Sequence, residues 1–127
     1  MQLDDWAANT LANVMADLLA GGRVEVFDGA GVLLAACAFA DPPFALAKDG
    51  AIAAHPFPPA IAENDGAPAT FIARDAAGLQ VLAGSAGYRD ADPPPEMKFK
   101  TRLIVKDADV LVESFVFSLA LTGEALP

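Results

Sequence analysis

Residues 23–39 read Arg23-Val24-Glu25-Val26-Phe27-Asp28-Gly29-Ala30-Gly31-Val32-Leu33-Leu34-Ala35-Ala36-Cys37-Ala38-Phe39, and this stretch decides the fold class. Residues 23–27 alternate apolar and polar side chains, the period-two pattern of a half-buried strand. Asp28-Gly29-Ala30-Gly31 then supplies a tight turn. An Asp carboxylate accepts hydrogen bonds from its own turn backbone, and glycine takes positive φ at no steric cost. Val32 to Phe39 returns as a second, more apolar strand. The device recurs where Phe71-Ile72-Ala73-Arg74 leads into Asp75-Ala76-Ala77-Gly78 and out through Leu79-Gln80-Val81-Leu82-Ala83. Two hairpins of one style point to a β-rich chain, although two copies are too few for a repeat architecture.

Working outward, prolines break residues 42–47 and 51–59, which therefore belong on sheet edges or in extended loops. Asn64-Asp65-Gly66 is a further turn, and Asp90-Ala91-Asp92-Pro93-Pro94-Pro95 a stiff surface loop. Gly84-Ser85-Ala86-Gly87 lacks the lysine of a phosphate-binding loop and reads as a strand end or bulge. Two last strands are expected, Met97 to Lys106 and Val110 to Leu121, joined by Asp107-Ala108-Asp109. In the second, Phe115, Phe117, Leu119 and Leu121 alternate with Ser114, Ser118 and Thr122, which predicts phenylalanines facing inward.

Upstream of residue 23 the period changes. Leu3, Trp6, Ala7, Thr10, Leu11, Val14, Met15, Leu18 and Leu19 recur at the spacing of one helix face, with Asp4 and Asp5 where negative charge suits a helix N-terminus. Gly21-Gly22 ends the pattern. The expectation is one domain over residues 1–127: an amphipathic helix at 3–20, then about seven to nine short strands over 23–122. An antiparallel β-sandwich or jelly-roll-like fold is the natural arrangement of such strands. The helix stripe needs cover, either from its own sheet or from the same helix of another subunit.

Composition narrows the function. The 127 residues suit a single domain that needs no disulfide or metal to hold its core. A net charge of −9 disfavours binding to nucleic acid or to an anionic membrane surface, and leaves docking to a basic surface as the electrostatic option. No apolar run reaches the ~18 residues of a membrane span. Asp4 and Asp5 stand where a signal peptide carries basic residues, so a chain kept in the cytosol until assembly is expected.

Chemistry-bearing residues are sparse. The one cysteine, Cys37, lies in an apolar run without a cationic neighbour and reads as a small buried hydrophobe. The one histidine, His55, sits between Ala54 and Pro56, whereas a Ser-His-Asp site or a zinc site needs partners. Most carboxylates fall in turns whose geometry explains them, and none follows calcium-loop spacing, with Asp107 and Asp109 the candidates for adventitious cation binding. No catalytic residue, cofactor or metal site is expected. One cluster stands out: Lys98, Lys100, Arg102 and Lys106 are four of the eight basic residues. On a strand, 98, 100 and 102 share a face, which is either a solvated surface guarding an edge or a basic stripe that meets an acidic neighbour. Candidate contact residues are therefore Leu3, Trp6, Leu11, Met15, Lys98, Lys100, Arg102 and Lys106. A ligand- or carbohydrate-binding module is the alternative; such sites use exposed aromatics, and only Trp6 and Tyr88 are candidates, of which Trp6 fits the core face of the helix.

The order of these segments resembles a group of small bacteriophage and prophage proteins found among virion structural components. The likeness rests on a helix ending in Gly21-Gly22, then Val24-Glu25-Val26-Phe27-Asp28-Gly29, Phe39-Ala40-Asp41-Pro42-Pro43-Phe44 and Gly50. It continues through Arg74-Asp75-Ala76-Ala77-Gly78, Gly84-Ser85-Ala86-Gly87 and a last strand alternating Phe with Ser. It spans about residues 3 to 121 and departs at Lys106-Asp107-Ala108-Asp109, where a glycine-containing turn is expected. The resemblance implies a non-enzymatic structural role in a phage or phage-like particle, as capsid decoration or as a head–tail or tail accessory protein. It implies a homo-oligomer with other virion proteins as partners, found in the virion and, during assembly, in the host bacterial cytoplasm.

Overall fold

The computed structural model describes residues 3–119. Helix α1 (Asp5–Leu19) is followed by β1 (Arg23–Phe27), β2 (Leu33–Ala38), β3 (Ala51–Ala53), β4 (Thr70–Arg74), β5 (Gln80–Tyr88), β6 (Met97–Phe99) and β7 (Val112–Ser118). The strands form one seven-stranded sheet in the order β2-β1-β4-β5-β6-β7-β3. The chain is thus mainly β with one N-terminal helix. The ladder is curled and mixed, because β5 pairs with β6 in parallel while every other named pair is antiparallel. This is a half-barrel rather than an established two-sheet sandwich or jelly roll. The parallel pair arises where the Asp90–Pro95 loop carries the chain from the end of β5 back to the start of β6.

The two turns of like sequence have like geometry. The Asp28 Oδ1 atom accepts the N–H groups of Ala30 and Val32, each at 2.9 Å, and Asp75 Oδ1 does the same for Ala77 and Leu79. Gly31 and Gly78 close them at φ of 84° and 88°, where a Cβ would be strained. Strand alternation then sorts the side chains. On β1 and β4, Val24, Val26, Phe71 and Ala73 face the core, while Arg23, Glu25, Ile72 and Arg74 face out.

Inside the curl, Phe39 packs against Phe44 and Phe57 with ring centroids 5.4 and 5.5 Å apart. Phe71 meets Phe115 edge-on at 5.0 Å, which ties β4 to β7 across the concavity. Such aromatic pairs add about 0.5–1.5 kcal/mol each beyond the area they bury. Phe115 is buried as the alternation predicts and Phe117 is half-buried; Leu121 and Thr122 lie outside the described residues.

The last expected hairpin is shorter than its sequence pattern. Ladder pairing of 97–106 stops at Phe99; Lys100 still donates its N–H to the Leu111 carbonyl at 2.9 Å, and the chain then bends away to the isolated Gly66–Ile104 and Ile61–Asp109 bridges. β5 in turn runs through Gly84-Ser85-Ala86-Gly87, so that segment is strand interior. The room for this is made by absent side chains: a Cβ on Gly84 would strike the Phe71 ring and the Glu96 carboxylate.

Candidate functional site

Helix α1 packs beside β3 and turns small residues into the core. Ala8, Ala12 and Leu19 are fully buried, and Met15 and Ala16 pack against the core. Asn13 Oδ1 accepts the Ala47 N–H at 2.9 Å and Asn9 Oδ1 accepts the Gly50 N–H at 2.8 Å, pinning the helix to the loop before β3. At its end, Gly22 lies against the Arg74 carbonyl, closer than any Cβ allows. The stripe read from the sequence is therefore split. Its inner margin, with Met15 and Leu19, belongs to the molecule's own core. Its outer margin stays in solvent: Trp6 is 71% exposed, Leu11 50%, Val14 49% and Leu18 51%. Leu3 is half-buried just ahead of the helix. At 100° per residue Leu11 and Leu18 stand about 80–100° from the side that buries Ala8, Ala12 and Leu19, and Val14 and Trp6 about 140° from it, so the exposed apolar side chains spread over the flank and back of the helix. Asp17 falls among them, and no basic residue occurs before Arg23.

The basic residues are not placed as one strand face. Lys98 is half-buried in β6, opposite Ser114 of β7. Lys100, Arg102 and Lys106 lie beyond the end of β6, in the excursion that leads to β7, and are exposed. Arg102 turns its guanidinium over the Tyr88 ring, 4.5 Å from the centroid. Lys106 donates its backbone N–H to Asp65 Oδ1 at 2.6 Å, which leaves its ammonium free of that carboxylate's bond. Lys100, Arg102 and Lys106 leave the sheet because Ile104 is the one residue of 100–109 that buries its side chain, too little to hold an extended strand there. The same excursion exposes Leu103, Val105 and Leu111, which the sequence reading passed over. Their signal was present in Arg102-Leu103-Ile104-Val105-Lys106, where one inward Ile leaves both apolar neighbours pointing out.

Elsewhere the three other arginines are matched, while Lys48 makes no ion pair within 4.0 Å among the described residues. Arg74 Nε and Arg23 Nε both donate to Glu25, whose carboxyl is held below its ordinary range first by the Arg74 hydrogen bond. Arg89 sits 3.5 Å from Glu113. Among the described residues, Lys98, Lys100, Arg102 and Lys106 make no ion pair within 4.0 Å.

Two shallow depressions adjoin this region. One, of about 300 Å³, is walled by Pro56, Phe57, Val110 and Leu111 with Lys100 and Asp109 at its lip. The other, of about 190 Å³, contains His55, Lys100, Glu113 and Ser114. Among the described residues no hydrogen bond links His55 to Ser114 or Glu113, and Glu113 faces Arg89, so the relay of a Ser-His-acid site is not assembled there. Cys37 is buried in β2 and desolvation pushes its thiol up to about 11, away from thiolate chemistry. No three His, Cys, Asp or Glu side chains among the described residues gather as a metal site requires. No helix among them is long and apolar enough to cross a membrane.

Comparison with protein-family models, with curated proteins and with solved structures gives no match.

Proposed function

We propose that this chain is a non-enzymatic building block of a phage or phage-like particle, a capsid decoration or head–tail or tail accessory protein, that works by self-assembly. One observation carries the reading. The helix has already satisfied its own core with Ala8, Ala12 and Leu19, yet leaves Trp6, Leu11, Val14 and Leu18 in solvent along its flank and back. Exposed apolar patches of this kind mark interaction surfaces, because leaving large side chains in water forgoes about 1.5–3 kcal/mol apiece. The placement in a particle rests on the resemblance in segment order. In this reading the folded-over sheet plays the part of a sandwich or jelly roll, a rigid body that holds the helix at its surface. Its partners are further copies and other virion proteins, in the particle and, during assembly, in the bacterial cytoplasm. The acidic charge argues against nucleic acid and anionic membrane.

The carbohydrate-binding alternative draws less support. A sugar-stacking platform needs free aromatic faces; the Tyr88 face is occupied by Arg102, which leaves Trp6, 71% exposed, as the single open ring of the two candidates.

The test is to purify particles from bacteria that express the chain with its neighbouring genes and to quantify it by mass spectrometry. A fixed stoichiometry relative to the major shell or tail protein is expected. Its absence from washed particles overturns the placement.

A further inference from the structure

We infer that the outer face of α1 docks on the Lys100–Leu111 excursion of a second copy, in a head-to-tail contact. This deepens the self-assembly reading above and rests on it.

Charge selects the occupant. The first 22 residues carry Asp4, Asp5 and Asp17 and no cation. A two-fold contact of helix on helix sets these carboxylates against their own copies, which costs association energy. Residues 98–109 carry four cations against two carboxylates, in a chain whose net charge is −9. By formal count this segment is positive within an acidic chain, although Asp65 accepts the Lys106 backbone N–H beside it, and it attracts the acidic helix of a second copy. Among the described residues the segment's lysines make no ion pair within 4.0 Å and Arg102 rests on the Tyr88 ring, while Arg23, Arg74 and Arg89 are held by carboxylates of their own chain.

The apolar parts match as well. Leu103, Val105 and Leu111 are exposed on the excursion, as Trp6, Leu11, Val14 and Leu18 are on the helix. Beside Lys100 the depression walled by Pro56 and Phe57 measures about 300 Å³, which suits one large side chain such as Trp6. Each copy then has two different, mutually complementary faces. Such a heterologous contact propagates to a ring or a filament rather than stopping at a pair.

Sedimentation velocity on the full chain tests this with two charge variants, D4N/D17K on the helix and K100E/K106E on the excursion. Asp4 makes no side-chain hydrogen bond to the helix N-terminus and Lys suits a helix C-terminal turn, so the first variant retains its fold. Each variant alone is expected to self-associate roughly tenfold more weakly than wild type, and an equimolar mixture to recover, because both of its contacts are again complementary. Association of K100E/K106E at wild-type strength overturns the head-to-tail contact and leaves self-assembly through another surface standing. Loss in both variants without recovery on mixing overturns it too. A wild-type chain that stays monomeric at high micromolar concentration fails the self-assembly reading itself. Circular dichroism monitors the fold, and the neutral pair D17N and K100Q/K106Q, expected to weaken association in the same direction, replaces any variant that unfolds.

Discussion

Glu25 shows how one outward side chain serves the sheet. It stands on β1 between Arg23 beside it and Arg74 on β4, and its side chain is 15% exposed. The depressed carboxyl means that the folded state prefers the ion. The stabilisation is present above the ordinary carboxyl value of 4.5 and is lost as pH falls through the lowered value in the folded protein. Melting temperatures measured from neutral pH down into this acid range will fall more steeply for wild type than for Glu25→Gln, and equal slopes would remove the triad's role. Gly22 is a second single-residue constraint. A methyl there collides with the backbone carbonyl of Arg74, and a backbone neighbour cannot rotate away. Gly22→Ala will cost about 1–3 kcal/mol or more in urea unfolding, as overpacking does. Gly29→Ala, with nothing within 4 Å of the added carbon, will stay within about 0.5 kcal/mol.

At the scale of elements, α1 has two apolar faces with different duties, and substitutions separate them. Ala12→Leu on the inner face forces a large side chain between helix and sheet and will lower the melting temperature. Leu11→Gln, on the outer face, will leave it nearly unchanged while weakening association. Because Ala8, Ala12 and Leu19 are core residues, deletion of residues 1–20 will abolish the cooperative unfolding of the β domain as well as any association. The twin Asp–Gly turns, the helix and the strands on either side of the turns were legible in sequence, since local hydrogen bonding and a period of two or 3.6 specify them. The split of the helix stripe was not. Alanine weighs little in an apolar pattern, yet Ala8 and Ala12 are what allow the helix to approach the sheet. The shortened β6 was illegible for a related reason: residues 100–106 keep a strand-like period, and only tertiary contact decides that the ladder ends at Phe99. The basic cluster was visible as composition, but its shape follows from that early end.

For the whole molecule, one aromatic core is wrapped by a curled sheet and closed by a helix, and seven of the twelve large apolar side chains left exposed among the described residues lie on the helix and on the β6–β7 excursion. A monomer gains nothing from that distribution, whereas a subunit of an assembly buries it. The most direct test is the concentration dependence of sedimentation for wild type beside a Trp6→Gln/Leu11→Gln/Leu18→Gln variant whose melting curve matches it. A wild-type coefficient that rises with concentration, against a variant that sediments as a monomer throughout, is the predicted result. Identical monomeric sedimentation of the two proteins up to high micromolar concentration would contradict the central claim.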